Sequence, residues 1–122
     1  MPVNIKRAYE KAEKEDGVRI LVDRIWPRGV SKEVLRIDHW MKDVAPSSDL
    51  RKWFDHDADK FETFKKRYKD ELHEEDDAKQ ALEELKKITI KEKKEITLVY
   101  GAKDEKHNQA IVLKEILDHQ QV

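Results

Sequence analysis

Apolar residues are placed along this chain in two rhythms. A period of two at residues 18–22 puts Val18, Ile20 and Val22 on alternating positions. Leu21 makes the middle of that run almost wholly apolar, which predicts a strand covered on both faces. Residues 96–100 (ITLVY) repeat the pattern and end at Gly101. A weaker alternation of Val3, Ile5 and Tyr9, broken by Lys6 and Arg7, predicts a less buried first strand over residues 3–9. The link at residues 10–17 is longer than a tight hairpin needs and shorter than a usual helical crossover. The first two strands can therefore be parallel or form a hairpin.

Elsewhere the period is helical. Phe61, Phe64, Tyr68 and Leu72 mark a helix over residues 59–72. Ala78, Ala81, Leu82, Leu85 and Ile88 mark a second, with Asp77 and Gln80 resembling its capping box. Ala110, Leu113 and Leu117 share a face of a final helix, for which Asp104 is the expected cap. Ser31 suits a short helical turn, and Ser47 or Ser48 a helix over residues 49–54 that carries Leu50, Trp53 and Phe54 on one face. Residues 38–48 read as irregular. Strands, then helices, then a buried strand and a helix predict an α/β fold with a small, mainly parallel sheet, one domain over residues 1–122.

Composition narrows the function more than the fold. Lys plus Arg number 26 against 27 Asp plus Glu, a formal charge of −1, so the chain lacks the basic excess expected of a nucleic-acid or anionic-membrane binder. A local basic site is compatible with that balance. The absence of cysteine excludes thiolate catalysis, disulfides and Cys-based metal sites. The N-terminus has no signal-peptide core and no run approaches the ~18 apolar residues of a membrane span, so the cytoplasm is the expected location. Neither GxGxxG nor GxxxxGK[ST] occurs, and no cofactor is implied. Asp23, His56 and His107 lack any spacing that supports a metal site.

The chemistry gathers where the two apolar strands end. Residues 23–29 (DRIWPRG) crowd Asp23, Arg24, Trp26 and Arg28 around a rigid Pro27, and a loop at the carboxyl end of a buried strand is where open α/β sheets place ligands. The two arginines offer planar forks for phosphate or carboxylate, and Trp26 a stacking face. The alternative is that Trp26 packs in the core while the arginines clamp acids. Arg51 and His56 lie on or just after the short helix and can reach the same edge; equally, His56 can serve only to end it. Lys103, His107 and Asn108 follow the last strand and open a helix, an arrangement suited to anions. If the two strands are parallel neighbours, both loops emerge on one edge.

The expected function is binding of a small anionic ligand, a phosphate-bearing metabolite or nucleotide, by Arg24, Trp26, Arg28, Arg51, Lys103 and Asn108. If that ligand is turned over, His56 or His107 would be the acid/base, and Asp23 would orient a histidine or a water. The competing expectation is a non-catalytic module that meets a protein or nucleic-acid partner through an Arg/Trp surface patch.

Four segments carry a resemblance: VDRIWPRGVSKE, WMKDVAPSSDLRKWFDHD, FKKRYKDEL and TLVYGAKDEKHNQAIVL. Together they resemble the YeaO-like family of uncharacterised bacterial proteins, part of the domain-of-unknown-function 488 group. The resemblance covers almost the whole chain and implies an α/β fold without an established reaction. Many of the wider group carry a Cys near the end of the last strand and another close to the helix His. This chain has Tyr100 and Asn108 in that neighbourhood, so a cysteine-dependent activity does not carry over.

Overall fold

The structure is a computed structural model that describes residues 3–119. Four strands, β1 (Asn4–Arg7), β2 (Val18–Leu21), β3 (His39–Trp40) and β4 (Ile96–Tyr100), form one sheet in the order β1-β4-β2-β3, with every pairing parallel. The last strand is thus inserted between the first two. β1 and β2 run parallel but are not hydrogen-bonded to each other, since β4 lies between them. Ile20 lies opposite Leu98 in the β2–β4 register, and Ile5 opposite Leu98 in the β1–β4 register.

Parallel strands need crossovers, and these cover both faces of the sheet. Between β3 and β4 run three helices, α2 (Ser48–Phe54), α3 (Phe61–Glu74) and α4 (Asp76–Lys91), and after β4 comes α5 (Gln109–Asp118). Their apolar stripes meet Val18, Ile20, Val22, Ile96, Leu98 and Tyr100 in the main core, where Phe64, Tyr68, Leu72, Leu85 and Leu113 are buried. The opposite face carries a smaller cluster. There Leu21, Val99, Ala8 and Leu35, the last from the one-turn helix Lys32–Leu35 (α1), pack against Trp26 and Trp40. Trp26 and Trp40 meet edge to face at 5.3 Å.

Two expected caps form: Ser31 accepts from the Val34 amide at 3.2 Å and Ser47 from the Leu50 amide at 3.1 Å. Two do not. α4 begins at Asp76 after a single extended residue, Glu75, so the Asp77–Gln80 box does not form and both aspartates sit in the first turn, where the helix dipole favours them. α5 is capped by Asn108, not Asp104; Asn108 Oδ1 accepts from the Ile111 amide at 3.0 Å while its Nδ2 donates to the Asp104 carbonyl at 2.8 Å. The cap is only 2% exposed, and an amide can both donate and accept there whereas a carboxylate can only accept. β3 was not expected from the apolar pattern. Two residues hold no period, and the strand exists through backbone bonds from Asp38 to Arg19 and from Met41 to Leu21. No helix among the described residues is long and apolar enough to cross a membrane.

Candidate functional site

Because β2 and β4 are parallel neighbours, the loops that follow them open on the same carboxyl edge. Between them lies a cavity of about 160 Å³. Its polar lining comes from Asp23 and Arg24 after β2, Arg51 of α2, His56, and His107, Asn108 and Gln109 at the start of α5. Its apolar lining is Ile25, Ala45, Pro46, Phe54, Phe64 and Ala102.

The wall at Ala45 and Pro46 is fixed from several sides. Arg24 donates to the Ala45 carbonyl at 3.0 Å and the Pro46 carbonyl at 3.4 Å, and stands 3.8 Å from Asp43. Tyr68 donates to the Val44 carbonyl at 2.5 Å, and Glu71 accepts from the Ser47 amide and hydroxyl. Arg24 is therefore engaged with the protein itself. Arg51 is not. Its guanidinium makes one long contact, 3.5 Å to Ser48 Oγ, and its Nε is buried without a partner.

Asp23 faces the same space. The Gly101 amide donates to one carboxylate oxygen at 2.8 Å and the Gln109 amide donates to the other. A Cβ on Gly101 would come within 2.9 Å of Asp23 Oδ2, so glycine here lets the carboxylate approach the backbone. Burial pushes the Asp23 carboxyl up to about 6, against the pull of those two donors and of the Arg51 charge. The Arg51 charge is near enough to act on Asp23, yet the two form no direct ion pair.

The histidines sit at the rim. His56 follows Asp55, and both hold left-handed backbone (φ 56° and 46°), uncommon for residues other than glycine. That turn carries the chain from α2 to the 3-10 turn Ala58–Lys60 and leaves His56 exposed at the mouth. His107 is oriented by Asp104, whose Oδ2 lies 2.9 Å from its Nδ1, and its ring meets Phe61 edge-on at 5.2 Å. Asp104 also accepts from the Lys106 and His107 amides, and these bonds with the His107 ring hold its carboxyl below the ordinary range.

The structure thus brings together Asp23, Arg24, Arg51, His56, His107 and Asn108. Three expected residues stand apart. Arg28 is exposed beyond the cavity, and its carbonyl accepts from Tyr9. Lys103 is exposed and lines no part of it. Trp26 lies against Trp40 on the far face of the sheet, with its Nε1 donating to the Val30 carbonyl. Gln109 was missed. It directly follows the Asn108 cap, and assigning the cap correctly would have placed it in the first turn beside the strand ends. Among the described residues no three His, Asp or Glu side chains are grouped to hold a metal ion.

The family model described as "Inactive DUF488-N3 subclade" matches residues 2–121. The chain belongs to that family. It is 40% identical to the uncharacterised protein YeaO of Escherichia coli over 117 residues, covering 96% of this chain and 97% of that protein. It is also 40% identical to an uncharacterised protein of Mycobacterium tuberculosis over 116 residues, covering 95% of this chain and 93% of the relative. No solved structure matches it significantly.

Proposed function

We propose that the protein is a binding domain that holds a small anionic group, a carboxylate or a phosphate, in the cavity at the carboxyl edge of its sheet. One observation carries this reading: Arg51 lines the cavity with its guanidinium almost unengaged, while Arg24 beside it is bonded to the wall. Arg51 is half-buried, a buried Nε–H without a partner is costly, and a bidentate anion is the group that best complements a guanidinium fork. The family description "Inactive" favours binding without turnover. A larger cavity of about 680 Å³ lies beyond the Ala45 wall, but its acids, among them Asp43, Asp49, Glu71 and Asp77, disfavour an anion.

A second reading, acid–base turnover at the same place, draws on the His107–Asp104 pair facing the cavity that holds Asp23. It adds chemistry to the same bound anion and predicts a product where the first predicts none.

Thermal unfolding at low salt with phosphate and with acetate tests the binding step. A ligand at ~100 times its dissociation constant raises stability by about 2.7 kcal/mol. The shift is expected in the wild type and in Arg28→Ala and lost in Arg51→Gln. A shift that survives Arg51→Gln and disappears in Arg28→Ala would reject this site.

A further inference from the structure

The cavity holds more than a place for an anion. Asp23 and Arg51 face one small space, carry opposite charge at neutral pH, and do not pair with each other. Each Asp23 oxygen accepts one protein donor, from Gly101 or Gln109, and a carboxylate oxygen has room for another. The Asp23 donors are neutral, so its charge is solvated by dipoles and left without a cation in contact. Arg51 is the complementary case, a cation whose polar contact among the described residues is the long one to Ser48. The other charged side chain of the lining, Arg24, is held by two carbonyls and faces Asp43.

A simple anion meets Arg51 but also meets the Asp23 carboxylate in the same space, and a simple cation meets the reverse. A molecule with both charges satisfies both groups at once, and a site built for two polar partners rejects analogues that lack one. Size adds a limit. The volume, about 160 Å³, is close to that of the ~150 Å³ cavity known to hold benzene, which confines the occupant to a few non-hydrogen atoms. Phe54, Phe64 and Pro46 supply an apolar wall for a short side chain.

Resting on the anion-binding reading above, we infer that the cavity takes a small zwitterion, an amino acid of about six non-hydrogen atoms, with its carboxylate on Arg51 and its ammonium on Asp23. Asn108 and Gln109 border the ligand, and His56 and His107 close the mouth.

Three probes of nearly one shape separate the terms: L-alanine, propionate, which lacks the ammonium, and ethylamine, which lacks the carboxylate. Each is titrated into the full chain at pH 7.5, with binding read from backbone amide NMR shifts. Alanine is expected to bind at least tenfold more tightly than either analogue and to move the amides of Gly101, Ala102 and Gln109. Asp23→Asn is expected to bring alanine and propionate to within a factor of two or three of each other, and Arg51→Gln to weaken alanine at least tenfold. The wild-type map decides the matter even if a variant does not fold. Propionate binding as tightly as alanine, with the same amides moving, would overturn the zwitterion and leave the anion site standing. Ethylamine matching alanine would overturn both, because Arg51 would then contribute nothing. No movement of these amides with any probe, phosphate included, would also overturn both.

Discussion

β2 is flanked by two aspartates of opposite fate. Asp16, just before the strand, meets Arg19 at 2.6 Å and Lys6 at 3.1 Å and also accepts from the Glu13 amide. Burial opposes its charge, but these donors outweigh burial and hold the carboxyl below its ordinary value. Asp23, just after the strand, has only neutral donors in contact, and burial wins. Arg19 is 3% exposed and bonded to Asp16 and the Leu35 carbonyl, whereas Arg51 is nearly without partners. One end of the strand carries an ion-pair clamp that joins β1, β2 and the 3-10 turn Lys14–Asp16, although Arg19 Nη2 is buried there without a partner. The other end carries the same two residue types held apart around a cavity. A charge that the protein neutralises itself is structural, and a charge that it leaves open is available to something else.

The comparison breaks first at Asp16. Asp16→Ala leaves Arg19 and Lys6 without their shared acid, and removing one partner of a buried pair costs about 3–5 kcal/mol. Urea unfolding at pH 7 is expected to show that loss, and a change below ~1 kcal/mol would deny the clamp.

Asp23 sharpens it. Its carboxyl is raised from 3.8 to about 6, so the native protein binds a proton between those values that the unfolded chain does not. Its contribution to stability is therefore full below pH ~4 and is lost as pH rises through 6, by roughly 3 kcal/mol. Asp23→Asn removes that term. The variant is expected to gain on the wild type by up to that amount between pH 4 and pH 7.5, measured as the difference between paired urea curves. A difference that stays flat with pH would place Asp23 in water.

Smaller effects divide the last loop. Asn108→Ala removes the α5 cap and is expected to cost about 1 kcal/mol, and Asp104→Ala less, because the cap is Asn108. Arg28→Ala, at an exposed side chain outside the cavity, is expected to stay within about 0.5 kcal/mol of the wild type in the same urea assay.

Much of this protein follows from local pattern. The strands at 18–22 and 96–100, the helical stripes through Phe64 and Leu85 and the serine caps were all legible, because each depends on neighbours within a few residues. The position of the cavity was legible too, since two buried strands ended in polar, histidine- and arginine-containing loops. Its membership was only partly so. Asp104 and Asn108 are both good caps four residues apart, and only the burial of one decides between them.

The sequence by itself determined the α/β class, the elements that carry the core and the sheet edge at which the cavity lies. Only the tertiary structure decided that β4 runs between β1 and β2, that Trp26 turns to the far face, and that Arg24 is engaged while Arg51 is left open. The reason is range. Periodicity and capping act over a turn of chain, whereas a parallel register joins residues some eighty positions apart, as Val18 and Ile96 are. An arginine's partners are fixed only once those distant segments have met.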